Sequence, residues 1–445
     1  MERDRRLTTR RAFLATGSLA LGTGCVGSLR TRSPDDESTN RTVPRRDGPS
    51  DRSDDDARGD EEPDAHREGP DGVRPPYQGR YVARGRLVDD MSDLSAWSGR
   101  GTVEADESVY FDGPQSLRYT DTERVALERT FDEPLDLSDA ALSLAGYFEE
   151  PADGQPTLTV TAFAPDSSNC VRFRHPYIAN KDAGWQRFDL APCEVKGSPD
   201  LADVRTLHVM LYAGKGKEAR LWLDDVRLHP KPDRGKLLFR FDDSHRHHYT
   251  DYFTTLEEYG YPGIEAVVRN SIGRGDRLTV PMLHRMQDAG WDLCNHMTAH
   301  QNVTELSEET LRADVREMAA FFEENGITRG TNFHIYTFGA YDGPSMDVLA
   351  DYFDLAFGGG GPTNYALTNP MCVGSVGVDG DLEGAKELVD LAVEHRSLSI
   401  PLFHHFDAED FAELVEYVHA YEARGDLDVV SASDLWEHQR SGEHW

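Results

Sequence analysis

Two rhythms of apolar and polar positions divide the chain. Between about residues 80 and 230 apolar side chains recur every second position: Leu158, Val160 and Ala162 alternate with threonines, Leu207, Val209 and Leu211 with polar or larger residues, and Leu221 with Leu223. A period of two belongs to half-buried strands, and several short strands broken by Gly, Pro and Asp clusters predict an all-β sandwich. After "KPDRGK", residues 231 to 236, the rhythm changes. Apolar runs such as "LLFRF", "IEAVV", "FHIYTF" and "SIPLF" now alternate with amphipathic stretches. Over 307–326 the residues Leu311, Val315, Met318, Ala319 and Phe322 fall on one helical face, with Ser307 as cap and Gly326 as stop, and a second helix is predicted over 407–424. Strand and helix in alternation predict a parallel α/β barrel, a fold that carries its reactive groups at the C-terminal ends of its strands.

Upstream of both rhythms, residues 30–77 are acidic, rich in Pro, Gly and Ser, and nearly free of aliphatic side chains. Such a segment cannot bury enough surface to offset its ordering entropy, so a disordered acidic linker is expected there. The stretch "TTRRAFLATGSLALGTGC", residues 8 to 25, pairs two arginines with a short small-residue apolar run ending at Cys25. It is too short to span a bilayer as a mature helix and resembles a twin-arginine export signal, with Cys25 at the place of a lipoprotein lipidation site; simple secretion is the alternative. The expected organisation is a signal over 1–29, a linker over 30–77, a β-sandwich over 78–232 and an α/β domain over 233–445. The expected location is extracellular or at the cell surface, with membrane contact only through an N-terminal lipid anchor.

Charge narrows the partners. The 80 acidic against 47 basic side chains give a formal net charge of −33, which repels phosphates at long range and excludes nucleic acid as the expected partner. Lysine is scarce beside arginine and carboxylates crowd the solvent-facing helix positions, the pattern of a halophilic protein whose self-repulsion is screened by salt, or else of a merely acidic one. The cysteines beyond Cys25 are Cys170, Cys193, Cys294 and Cys372, without metal-finger spacing. In an exported chain Cys170 and Cys193 are the pair expected to form a disulfide; the alternative is that all four are small buried hydrophobes.

Candidate chemistry gathers at three strand ends. In "LLFRFDDSHRHH", residues 237 to 248, Asp242 and Asp243 close an apolar run, and adjacent carboxylates repel unless a cation or a proton lies between them. In "WDLCNHMTAH", residues 291 to 300, His296 and His300 stand four apart and converge on one ion if the chain makes a helical turn there. Two imidazoles and one carboxylate make a three-ligand set with positions left open for water and substrate. The third run, "SLSIPLFHHF", ends at His404 and His405.

Taken in that order, the three strand ends resemble the NodB-type polysaccharide deacetylases, carbohydrate esterase family 4, over about 236–440. The resemblance implies a distorted (β/α) barrel of about seven strands acting on an N-acetylated glycan or exopolysaccharide. It implies Asp242 as general base, His404 as general acid, and Asp243, His296 and His300 as ligands of a divalent metal, typically zinc. The preceding segment, with Trp97, "GPQSLRY", "GWQRFDL" and "LWLDDVRLHP", resembles the jelly-roll modules attached to secreted carbohydrate-active enzymes. There Trp97, Trp185 and Trp222 are either sugar-stacking or core aromatics, and Asp224 and Asp225 either a calcium site or a solvated turn.

The chain also departs from the family pattern. Ile335 and Thr337 replace the arginine and proline of the third motif, leaving Phe338 N–H and Gly339 for the oxyanion contact and nothing nearby for the guanidinium. The tryptophan and aspartate of the fourth motif are missing from 355–365, and Met297 stands where a serine or threonine is usual. His245, His247 and His248 match nothing in the family and are expected as solvated or supporting residues at the mouth. Two other readings follow: a catalytically weakened, metal-containing carbohydrate-binding protein, and a hydrolase of another small amide in a pocket widened by Gly358–Gly361.

Overall fold

The computed structural model describes residues 84–148, 157–176, 184–363 and 365–441; the predicted signal with Cys25, the predicted linker and residues 78–83 lie outside them. The period-two segment forms two antiparallel sheets. One runs β3 (Thr102–Asp106), β4 (Ser116–Thr122), β12 (Glu218–Pro230), β6 (Ala140–Phe148) and β9 (Gln186–Leu190), with β1 (Arg86–Asp89) also paired to β12. The other runs β10 (Pro192–Lys196), β8 (Cys170–Pro176), β7 (Thr157–Phe163), β11 (Val204–Tyr212), β5 (Arg124–Leu135) and β2 (Trp97–Gly99). Alternate residues of facing strands, among them Leu117, Leu127, Leu144, Val160, Val209 and Leu221, fill the space between the sheets.

The sandwich settles several open points. Trp97, Trp185 and Trp222 are all buried; Trp97 and Trp222 donate their indole N–H groups to Asp89 (3.1 Å) and Asp106 (2.9 Å), so these three rings are core aromatics and not sugar platforms. Asp224 and Asp225 are neither a solvated turn nor part of a clustered cation site. They sit buried at an irregularity in the pairing of β12 with β6, where Asp224 accepts from the N–H groups of Phe111 (2.8 Å) and Asp112 (3.1 Å) and Asp225 pairs with Arg187 and Arg227. The expected disulfide is absent, since Cys170 and Cys193 are free. Cys170 lies opposite Lys196 on β10, three residues along the strand from Cys193, or ~10 Å at the rise of a strand and beyond the reach of a disulfide.

The second rhythm produces a half-barrel of parallel strands in the order β18 (Leu355–Phe357), β17 (Phe333–Ile335), β16 (Asp292–Asn295), β15 (Gly263–Val267), β14 (Phe239–Phe241), β21 (Pro401–Phe403) and β19 (Val376–Gly377). A smaller parallel sheet of β20 (Leu398–Ser399), β13 (Gly235–Leu237) and β22 (Leu427–Val429) continues from it. Helix α3 (Glu308–Glu324) buries Leu311, Val315, Met318 and Phe322 as predicted, with Ser307 capping through Thr310 N–H at 3.2 Å; Ala319 is exposed instead. Helix α6 (Ala408–Glu422) fulfils the second helical expectation. None of the described helices is long and apolar enough to cross a membrane.

The two halves are joined by more than a linker. One apolar cluster runs from Leu144 and Leu190 of the sandwich into Tyr341, Met346 and Met371 of the α/β half. Beside it the buried carboxylate of Asp189 accepts from Thr368 N–H (2.6 Å), Thr368 Oγ1 (2.7 Å) and Asn369 N–H (3.3 Å), while Arg187 Nε donates to Thr368 Oγ1 at 3.1 Å. The glycine run expected to widen a pocket belongs to this junction. A Cβ on Gly361 would collide with the carbonyl of Arg174 on β8, and one on Gly360 would stand 3.2 Å from the His175 ring, so these glycines let the loop lie flat against the sandwich.

Candidate active site

Three neighbouring or near-neighbouring strands deliver the predicted residues to one end of the half-barrel. β14 ends into Asp242 and Asp243, β16 into His296, and β21, hydrogen-bonded to β14, into His404. Asp243 and Ser244 both take positive φ, 81° and 59°, a region that costs non-glycine residues ~1–3 kcal/mol each. The turn is held by buried groups: Ser244 N–H donates to Glu265 Oε1 (3.0 Å), and Ser244 Oγ accepts from Val268 N–H (3.0 Å). The strain turns the Asp243 carboxylate toward the end of β16.

The His296–His300 segment makes no helical turn. It is a tight loop with Met297 at φ 66° and His300 at φ 52°, pinned where Thr298 donates through both N–H and hydroxyl to Asp314 on α3. His296 Nδ1 donates to the Ile335 carbonyl at 2.8 Å, which fixes the tautomer whose Nε2 carries the lone pair. Asp243 Oδ1 lies 3.5 Å from His296 Nε2 and 3.0 Å from His300 Nε2, yet this buried oxygen accepts no hydrogen bond. One ligand atom from each of the three residues falls within 4.8 Å of the other two. An orphaned carboxylate oxygen facing two imidazole nitrogens is the donor set a divalent ion requires, so the residues fit the metal the sequence implied.

Asp242 is buried on the adjacent strand position and is gripped by a group the sequence reading missed. Arg240 Nε donates to Asp242 Oδ1 at 2.9 Å and Nη2 to Oδ2 at 2.7 Å, a two-pronged pair buried on both sides. Arg240 is itself anchored by Nη1 bonds to the Gly358 carbonyl (2.9 Å) and Ser375 Oγ (2.5 Å). Burial works to raise the Asp242 pKa, and the Arg240 guanidinium, helped by His296 and His404, outweighs it and holds the carboxyl below its ordinary range. Across the site His404 Nδ1 meets Asp379 Oδ2 at 2.9 Å, and Asp379 Oδ1 accepts from the N–H groups of His404 (2.8 Å) and His405 (3.0 Å). Partial burial opposes protonation of His404, but the Asp379 carboxylate, together with Asp242 and Asp243, outweighs it and raises the pKa.

Residues 229–352 match the family described as polysaccharide deacetylase. The C-terminal half therefore carries a polysaccharide deacetylase domain. The matched stretch includes Asp242, Asp243, His296 and His300 and stops before Asp379 and His404. Among solved structures, similarity extends to the esterase family 4 domain of a multidomain xylanase from the hindgut metagenome of Trinervitermes trinervoides, at 15% identity, covering 47% of this chain and 92% of that one with a TM-score of 0.34. It extends also to the chitin deacetylase of Colletotrichum lindemuthianum, at 12% identity, 46% and 89% coverage and a TM-score of 0.35. A family 4 acetyl xylan esterase from Clostridium thermocellum, in complex with a cobalt ion, has 14% identity, 45% and 90% coverage and a TM-score of 0.32. No curated protein matches the chain.

Within the deacetylase domain the departures from the family pattern have local replacements. A guanidinium missing at Ile335 is present instead at Arg240, two residues before Asp242 and on the same face of the strand. A carboxylate partner for His404 is present at Asp379, in the loop after β19. Ile335 contributes its carbonyl to His296 in place of a side chain. The two expected oxyanion positions part company: Gly339 N–H is committed to the Tyr336 carbonyl at 3.0 Å, whereas Phe338, at φ 60°, is 66% exposed and packs its ring edge-on to His300, with centroids 4.5 Å apart. Of the three unmatched histidines, His248 is not solvated at all. It is buried, with Nδ1 3.0 Å from Glu265 Oε2 and Nε2 3.1 Å from the His404 carbonyl, and burial pushes Glu265 up to about 7. His245 and His247 lie against His405.

Proposed function

We propose that the protein is a zinc-dependent hydrolase that removes N-acetyl or O-acetyl groups from an extracellular or cell-surface polysaccharide. The observation that carries this reading is the position of the Asp243–His296–His300 set between an arginine-held carboxylate and an aspartate-held imidazole. A divalent ion held by that set would polarise the acetyl carbonyl and acidify a water molecule. Asp242, kept ionised by Arg240, takes the proton of the attacking water. In this reading the Phe338 backbone N–H is the donor to the oxygen on which charge develops, and its exposed ring beside His300 offers a flat apolar surface to a sugar. His404, kept protonated by Asp379, gives its proton to the departing amine or alkoxide, and acetate leaves. A pure binding protein has no use for either proton-transfer group, and the presence of a charged partner for each supports turnover over binding alone.

The test is acetate release from N-acetylated and O-acetylated oligosaccharides by the full chain in high salt, stripped of metal and then reloaded with zinc. Zinc-dependent release is expected, with Asp242→Asn retaining metal and losing ~10²–10⁴-fold in rate. Release that ignores zinc, or an Asp242→Asn variant as active as the parent, refutes the assignment. The export signal resembled by residues 8 to 25 supports the location, and fractionation of cells for the mature protein tests it.

A further inference from the structure

We propose that His245, His247 and His405 form a second divalent-metal site beside the first. The three come from two loops brought together by the pairing of β14 with β21, and one ring nitrogen from each falls within 4.8 Å of the other two. Their ring centroids stand 4.4 Å apart for His245 and His405, 4.9 Å for His247 and His405, and 5.1 Å for His245 and His247. A three-histidine set with its fourth position open to solvent is an arrangement that zinc, cobalt, nickel and copper accept.

The surroundings prepare the rings for this. His247 Nε2 donates to the His404 carbonyl at 2.8 Å, the same backbone tether that His296 makes in the first set, and the tautomer it fixes leaves the Nδ1 lone pair for a ligand. His405 is exposed, with its backbone N–H held by Asp379 at 3.0 Å, so the site faces solvent. His245 Nε2 accepts from Arg277 Nη1 at 3.2 Å, and this bond must yield to an ion; Arg277 keeps its other contact, to the Asp243 carbonyl at 2.5 Å. Asp243 Oδ2 lies 4.0 Å from His245 Nε2, which makes the two sets neighbours with separate ligands. The proposal does not depend on the acetyl-hydrolase reading.

Metal counting tests it. The full-length protein is stripped with chelator, reloaded with zinc alone, desalted and analysed for zinc per chain, with circular dichroism of the stripped form as a check on folding. Two ions are expected for the parent, and one for His405→Ala and for His247→Ala. One is also expected for Asp243→Ala, and none for the Asp243→Ala, His405→Ala double variant. His405→Ala alters an exposed ring and gives a folded protein in which the count is decisive. One ion in the parent, lost in Asp243→Ala and unaffected in His405→Ala, overturns the second site while leaving the first intact. Two ions retained by His405→Ala and His247→Ala overturn it equally.

Discussion

Arg240→Met tests whether Arg240 sets the ionisation of Asp242, the base in the proposed reaction. The substitution keeps most of the side-chain volume and removes two hydrogen bonds of 2.9 and 2.7 Å to Asp242, between groups that are 1% and 3% exposed. Breaking one side of a buried pair leaves a charge without compensation and costs ~3–5 kcal/mol in stability at neutral pH. The carboxylate escapes that cost by taking up a proton. With the guanidinium gone, burial is opposed only by the weaker pull of His296 and His404, and the Asp242 pKa rises. A neighbouring opposite charge depresses a carboxyl by about 1–3 units as a rule, and each unit is a tenfold change in the ionised fraction. The acidic limb of the kcat/KM profile should therefore move to higher pH by that order. Activity below the new limb should fall ~10- to 1,000-fold and recover in part as pH rises. In the parent the sign for stability is that of a depressed carboxyl: the Asp242 contribution is present above its unfolded pKa and lost as pH falls through the lowered folded one. Arg240→Lys, which keeps the charge and loses the fork, should fall between parent and Arg240→Met. An unmoved acidic limb in a folded Arg240→Met protein would refute the argument.

Two further outcomes follow from the same geometry. Asp379→Asn removes the carboxylate that raises the His404 pKa, so the alkaline limb of kcat/KM should shift to lower pH while the acidic limb stays in place and metal content is unchanged; a pH–rate profile beside a zinc count checks this. Asp189→Ala leaves the N–H groups of Thr368 and Asn369 and the Thr368 hydroxyl buried without their acceptor, which should cost ~2–4 kcal/mol in urea unfolding, with sandwich and deacetylase domain still losing structure in a single transition.

What the sequence exposes and what it hides divide along physical lines. Strand ends are local features, so an apolar run closing in two aspartates, or one closing in histidine, reveals its place in the barrel, and the structure brings Asp243, His296 and His300 from such ends to within 4.8 Å of one another. Arg240 was legible in principle: a charged residue in a buried strand, two positions from Asp242, must share its face and find a partner. The family's arginine lies on another strand, and attention to that position hid the one already in "FRFDD". Asp379 could not be found this way. It precedes His404 by 25 residues, follows a strand of two residues, and meets the imidazole only because β19 pairs with β21. The cysteines failed for a related reason, since proximity in sequence said nothing of a three-residue offset across two strands.

The loop that carries Gly358–Gly361 has two faces. One presents the Gly358 carbonyl to the guanidinium that grips Asp242; the other lies against β8 with no room for a side chain at Gly361. The sandwich thus packs against the same loop that holds Arg240 beside Asp242. A different module grafted onto this barrel would have to offer that loop a surface as flat as β8, where a Cβ at Gly361 meets the Arg174 carbonyl.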